Sequence, residues 1–268
     1  MARIGLHLLW GAATVAVVYP WASLGLRLGL KKRWSRQLLD TLGIRLKKIG
    51  AGGTARIPPG LLVANHISWL DIFVINAVAP AAFVSKDEVR GWPLIGWLCE
   101  RTETIFLERG SRAAAQRTRE ALIAQLLSGD HVTVFPEGTT TAGDRVLPFH
   151  AALFQSAIDA RTPVVPLALR YCDTEGRSSR APAYDGDVTL LQCLLSIVRA
   201  GGLAAEVRIL APLGSAQADR RHLSARCHHA IAWQLGHAGP DVPTPSPSAG
   251  PTGHRASGIP GDPQAASL

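Results

Sequence analysis

A histidine and an aspartate five positions apart, His66 and Asp71, stand in the run Asn65-His66-Ile67-Ser68-Trp69-Leu70-Asp71. An imidazole is the side chain that takes and returns a proton near neutral pH. A carboxylate one helical turn away can fix its tautomer and stabilise the imidazolium that forms as a proton arrives. Together they are the minimal equipment of a general base. The apolar run Leu61-Leu62-Val63-Ala64 reads as a short buried strand, and Trp69-Leu70 with Ile72-Phe73-Val74-Ile75 opens a helix. His66 therefore lies in a strand-to-helix turn, where α/β sheets expose reactive groups at the carboxyl ends of their strands. The same residues also fit a helix capping box, with Ser68 as cap and Asp71 bonding back to it. Taken alone, the segment leaves both readings open.

A second block decides between them. The β-branched run Val132-Thr133-Val134-Phe135 ends at Pro136, which cannot continue a central strand, and Glu137, Gly138, Thr139, Thr140 and Thr141 follow. In isolation this is a polar turn with a surface carboxylate. Together with the first block, its order and content resemble the glycerolipid acyltransferase family, of the lysophosphatidic acid acyltransferase type. Asn65, His66 and Asp71 match that family's N-H-x4-D, and Phe135 to Thr139 match its F-P-E-G-T. Two weaker blocks lie in the right order. Phe106-Leu107-Glu108-Arg109 resembles the second motif, and Val164-Val165-Pro166-Leu167-Ala168 resembles the fourth, with the whole resemblance covering roughly residues 55 to 170.

The resemblance implies a single mixed-sheet α/β domain with helices on both faces, preceded by an N-terminal membrane helix or helical hairpin. It also implies transfer of a fatty acyl group from a thioester, acyl carrier protein or coenzyme A, to a lysolipid hydroxyl. His66 would be the base and Asp71 its orienting group. Substrate contact is implied for Asn65, Phe106, Arg109, Glu137, Gly138, Thr139 and Thr140, with Arg109 facing the acceptor's charged head. A thioester is already activated, so neither a covalent intermediate nor a metal or cofactor is implied. Two departures stand out. The family usually has a glycine three positions before its second-motif phenylalanine, and here that position is Glu103. The common F-P-E-G-T-R carries an arginine that helps hold an acceptor phosphate, and here Thr140 replaces it, removing a bidentate ligand. F-P-E-G-T-T-T is similar to the lyso-ornithine lipid acyltransferase branch, whose acceptor is an aminolipid without a phosphate.

The elements around these blocks follow from composition and period. Residues 1 to 48 hold nine Lys or Arg and one acid, Asp40, so the chain's whole surplus of +8 sits at this end. That favours anionic lipid headgroups over nucleic acid. Ile4 to Leu26 carries no charge, and about 23 residues at helical rise span roughly 35 Å, enough for a bilayer core. This reads as one spanning helix or as a helix that turns near Pro20. Lys31-Lys32-Arg33 then predicts that the chain beyond it lies on the cytoplasmic face of a membrane. Trp34, Leu38, Leu42 and Leu46, every four positions, predict a basic amphipathic helix over 34–49, facing either the membrane or the core.

Residues 50–236 read as the α/β domain. Strand-like runs fall at 61–64, 82–85, 104–107, 131–135, 163–169 and 205–211. A helix is expected at 112–128 before Gly129, and a closing one from Ala216 to Leu235. Residues 237–268, rich in Pro, Gly and Ser, read as disordered. Other chemistry finds no footing. The four cysteines form no close pair, which fits a reducing compartment, and His228-His229 reads as surface. Gly50-Ala51-Gly52-Gly53-Thr54-Ala55 matches a dinucleotide fingerprint but leads into Pro58-Pro59 instead of a helix. No G-x-S-x-G nucleophile turn is present. The competing classes are a thioester or lipid hydrolase or transacylase using the same histidine, and a non-catalytic lipid-surface protein.

Overall fold

The computed structural model describes residues 2–50, 57–92, 94–107 and 110–237. The chain opens with two helices, α1 (Ala2–Val17) and α2 (Leu24–Thr41), joined by a 3-10 turn at Tyr19–Trp21. It continues through β1 (Arg45–Gly50), β2 (Gly60–Ala64), α3 (Asp71–Val78), β3 (Ala82–Lys86), α4 (Ile95–Arg101), β4 (Ile105–Leu107) and α5 (Arg112–Leu127). Then come β5 (His131–Val134), α6 (Gln155–Asp159), β6 (Val164–Cys172), α7 (Leu190–Ala200), β7 (Ala204–Ile209) and α8 (Arg220–Gln234).

The strands form one mixed sheet in the order β1-β7-β6-β2-β5-β3-β4. Every pairing is parallel except β6 with β7, so β1 and β7 run against the rest. The two-residue strand period sorts the buried side chains. Leu61, Val63, Val164 and Ala168 face one apolar core with Leu122, Phe154 and Ile231. Leu62, Ala64, Val165, Leu167, Leu169 and Tyr171 face the other, against Leu38, Val74 and Ile197. α5, α6 and α8 thus cover one side and α2, α3 and α7 the other, the layered architecture expected of an α/β domain.

The charge-free N-terminal stretch breaks at Pro20, as one of its two readings required. Ser23 caps α2 by accepting from the Leu26 N–H. Ala2–Trp21 is long and apolar enough to cross a membrane by length and composition, with Leu6, Leu9, Trp10 and Trp21 largely exposed. α1 lies close on α2 because Gly11 leaves room for the Trp34 indole; a Cβ there would run into Trp34 Nε1. The helix expected over 34–49 is corrected. α2 stops at Thr41, Gly43 takes a left-handed φ of +71°, and residues 45–50 form the edge strand β1 beside β7. Leu38 and Leu42 are core residues, while Leu46 belongs to the strand, so their common spacing joined two elements. α8 also starts later than expected, where Asp219 caps it by accepting from the Arg221 and His222 N–H groups.

The N-terminal basic cluster is not uniformly available to lipid. Lys31 is buried and donates to the carbonyls of Ala81 (3.2 Å) and Thr102 (3.1 Å) and to Glu103 Oε2 (2.7 Å). Arg36 Nε donates to the Ala77 carbonyl, and Arg27 lies 3.7 Å from Glu103 Oε1. Lys31 thus fastens α2 to the turn before β4. The glycine-rich 51–55 segment, Arg109 and the tail from 238 onward lie outside the described residues.

Removing a buried charge whose partner stays behind costs about 3–5 kcal/mol. Lys31→Met is therefore expected to lower the thermal unfolding midpoint of the detergent-solubilised full chain by several degrees, and Lys32→Met to leave it nearly unchanged. Equal midpoints for the two variants would remove Lys31 from any structural role.

Candidate active site

Three neighbouring strands, β6, β2 and β5, deliver the site at their carboxyl ends. β2 ends at Ala64 because Asn65 turns away, and Asn65 then substitutes for the missing ladder. Its Oδ1 accepts from the Leu169 N–H (2.8 Å) and its Nδ2 donates to the Leu169 carbonyl (3.1 Å). Both polar atoms of Asn65 are spent on β6, so this residue holds the strand end in place instead of facing a substrate. The next residue, His66, is 19% exposed at its side chain and stacks on Phe135 with ring centroids 3.9 Å apart.

Asp71 is fully buried at the first position of α3. Its Oδ2 accepts from His66 Nδ1 (2.9 Å) and from the N–H groups of Ile67 (2.7 Å) and Ser68 (2.9 Å). Its Oδ1 accepts from the Tyr171 hydroxyl at 2.6 Å. α3 has Leu70 at its N-cap and no side-chain cap, so the capping box expected with Ser68 as cap is corrected: Asp71 ties the turn and the histidine together instead. With Nδ1–H committed to Asp71, the lone pair of the imidazole sits on Nε2, the nitrogen of a base.

The polar block after β5 wraps this turn. Glu137 Oε1 accepts from the His66 N–H and Oε2 from the Leu147 N–H, both at 2.8 Å. Thr141 N–H donates to the His66 carbonyl and Tyr184 N–H to the Ile67 carbonyl, both at 2.9 Å. Thr140 donates its hydroxyl to the Tyr184 carbonyl. Burial pushes the Glu137 carboxyl up to about 7. The two N–H donors hold it down, the Asp71 charge adds to the rise, and Arg145 pulls against it. Gly138 and Thr139 are exposed beyond Glu137.

The structure thus brings His66, Asp71, Glu137 and Thr140 to one turn. Phe106 sits apart on β4, buried, with the Arg90 guanidinium 4.5 Å over its ring. His228 is half-buried, not surface, and bonds the Val146 carbonyl against Phe149. Tyr171, Thr141 and Tyr184 are the residues that motif reading missed. Tyr171 carried a signal. It continues the β6 alternation Leu167, Leu169 onto the face of α3, two positions beyond where the apolar run suggested the strand would end.

The mixed α/β sheet carries a His–Asp pair at its carboxyl edge, and an acyltransferase family model matches residues 48–170. The chain belongs to the glycerolipid acyltransferase family. It is 37% identical to the lyso-ornithine lipid O-acyltransferase of Pseudomonas aeruginosa over 78% of its length and 80% of that protein. It is also 42% identical to the 1-acyl-sn-glycerol-3-phosphate acyltransferase of Neisseria gonorrhoeae, over 62% of this chain and 65% of that one. The crystal structure of the 1-acyl-sn-glycerophosphate acyltransferase PlsC from Thermotoga maritima has the same fold. Its TM-score is 0.61 at 20% identity, covering 88% of this chain and 94% of that one.

The raised Glu137 carboxyl has a sign that can be checked. Its ordinary value is 4.5 and its folded value about 7, so the folded state holds the proton more tightly. The stability this contributes is fully present below about 4.5 and is lost as pH rises through about 7. The stability of wild type relative to Glu137→Gln is expected to shrink between pH 5 and 7 and to level off above. A difference independent of pH, followed by thermal unfolding, would show that Glu137 is ionised throughout.

Proposed function

We propose that this chain transfers a fatty acyl group from a thioester, acyl carrier protein or coenzyme A, to the free hydroxyl of a lysolipid at the cytoplasmic face of a membrane. The observation that carries it is the contact between His66 Nδ1 and Asp71, with Asp71 anchored by three further donors. His66 Nε2 takes the acceptor's hydroxyl proton as its oxygen attacks the thioester carbonyl. The C–S bond breaks, and the departing thiolate recovers the proton from the imidazolium. Asp71, bonded to Nδ1, balances the transient positive charge. Glu137 acts through the backbone, holding the His66 N–H while the exposed Gly138 and Thr139 edge the acceptor cleft. Arg109 is assigned to the acceptor head by its motif alone.

The acceptor we favour is a lyso-aminolipid of the lyso-ornithine type. Thr140 occupies the place of the phosphate-holding arginine, and its hydroxyl is committed to the Tyr184 carbonyl. The lyso-ornithine enzyme of P. aeruginosa also aligns over more of this chain than the Neisseria acyltransferase does. Lysophosphatidic acid is the second reading, supported by the 42% identity of that Neisseria relative. α1 supplies the membrane attachment in either case.

Loss of a general base costs roughly 10²–10⁴-fold, so His66→Ala is expected to lower kcat/KM by that range in a protein that still folds. Asp71→Asn is expected to be severe, and Tyr171→Phe milder because three donors remain. Near-normal turnover by folded His66→Ala would end the mechanism.

Acceptor choice is read from kcat/KM on lyso-ornithine lipid and on lysophosphatidic acid. Wild type is expected to prefer the aminolipid. Thr140→Arg is expected to gain on the phosphate acceptor by restoring a bidentate cation, at some cost in stability as the Tyr184 tie is lost. A wild-type preference for lysophosphatidic acid would overturn the aminolipid assignment.

A further inference from the structure

α7 has more apolar surface than the fold uses. Thr189 caps it with a complete capping box, and Cys193 and Ile197 bury its inner face. At about 100° per residue, Leu190, Leu191, Leu194, Leu195 and Val198 fill an arc of about 140° beside that inner face. Within that arc Leu191 is 59% exposed, and Leu190 and Val198 are also exposed. Gln192, Ser196 and Arg199 confine polarity to the remaining narrow strip.

A row of partly buried aromatic side chains links α1 to the inner face of α7, beside that apolar arc. His7 on α1 stacks on Trp34 at 4.7 Å, Trp34 meets Phe73 at 5.4 Å, and Phe73 meets Trp69 at 5.8 Å. Trp69 Nε1 then donates to Cys193 Sγ on α7 at 3.3 Å. Indole rings in such a row are suited to the boundary between acyl chains and water. α1, α2, α3 and α7 all lie on one side of the sheet, the side that also carries the exposed apolar residues of α1.

We propose that α7 is a second membrane-contacting element, lying in the plane of the lipid interface with Leu190, Leu191 and Val198 among the acyl chains. It would give the domain a second point of contact beside α1 and so fix its tilt. Trp69 stands three residues from His66 in sequence and bonds α7 directly, so docking α7 sets the mouth of the site against the surface from which a lysolipid must enter. This rests on the membrane attachment proposed for α1.

The test uses the full chain with Leu191→Cys in a Cys99→Ser background, labelled with an environment-sensitive nitrobenzoxadiazole dye. It is bound to vesicles of equal parts phosphatidylcholine and phosphatidylglycerol. Blue-shifted emission, quenched about twofold or more by shallow doxyl lipids, is expected. Leu191→Glu combined with Val198→Glu is expected to cut turnover of a vesicle-borne lysolipid about tenfold and leave that of a detergent-dispersed one within about twofold. A vesicle-bound protein whose dye still reports water overturns the proposal and leaves the α1 attachment standing. Failure of the chain to bind vesicles overturns both. Dissociation of a dimer by the two glutamates, with vesicle turnover intact, assigns the face to a second copy and also overturns it.

Discussion

A carboxylate sealed from water is the constraint on which the site depends. Burying an ion such as Asp71 costs several kcal/mol even after the surroundings relax, and each charge-assisted hydrogen bond returns only about 1.5–3. One or two donors would leave a deficit. Four are present, from His66, Ile67, Ser68 and Tyr171, and the start of α3 adds the positive end of its dipole. Three of those donors come from one turn, so that turn has little freedom. The imidazole is held because the carboxylate must be satisfied, so the geometry of the His66–Asp71 pair is a by-product of solving an electrostatic problem.

The same turn is gripped from the other side by carbonyl and amide groups that the Asp71 network leaves over. His66 exposes its N–H and carbonyl in opposite directions, and these go to Glu137 and the Thr141 N–H respectively. Ile67 spends its carbonyl on Tyr184, whose own carbonyl takes the Thr140 hydroxyl. Buried backbone groups must be paired, and here the pairing is done by loops following β5 and β6 instead of by a strand. This explains why a carboxylate stands at position 137. A side chain with two acceptor atoms bridges the N–H groups of His66 and Leu147, which no single backbone carbonyl can reach.

The sheet was legible wherever burial was two-sided. β2, β3, β5 and β6 are apolar runs bounded by Gly, Pro or Asn, and the expected spans differ from the observed ones by only a few residues. The His66–Asp71 pair was legible from type and spacing. Tyr171 was not, because its partner is far off in sequence and only the fold brings β6 beside β2. The helix drawn over 34–49 failed for a different reason. Trp34 to Leu42 has a true helical period, and Leu46 continued it by coincidence across a break that Gly43 marks. Asn65 shows what a motif position leaves out: its amide has the geometry of a peptide and pairs with the Leu169 backbone.

Charge counting reached the right end of the molecule and the wrong reason for part of it. Glu103, standing where the family usually has glycine, adopts a left-handed φ of +59°, a conformation that costs a non-glycine residue about 1–3 kcal/mol. A strained position persists when its surroundings over-determine it. Lys31 does that with a 2.7 Å contact to Glu103 and two more to carbonyls, while Arg27 adds a second positive charge at 3.7 Å. The basic residues of α2 are thus divided between two masters. Lys31 is buried and Arg36, though exposed, bonds the Ala77 carbonyl, so both tie α2 to the domain, while Arg33 is exposed. Glu103 thus gives Lys31 a socket in the turn before β4 and joins α2 to that edge of the sheet. A charge-rich segment beside an apolar helix need not owe its charges to lipid. Those nearest the domain are explained by the acceptors they meet inside it.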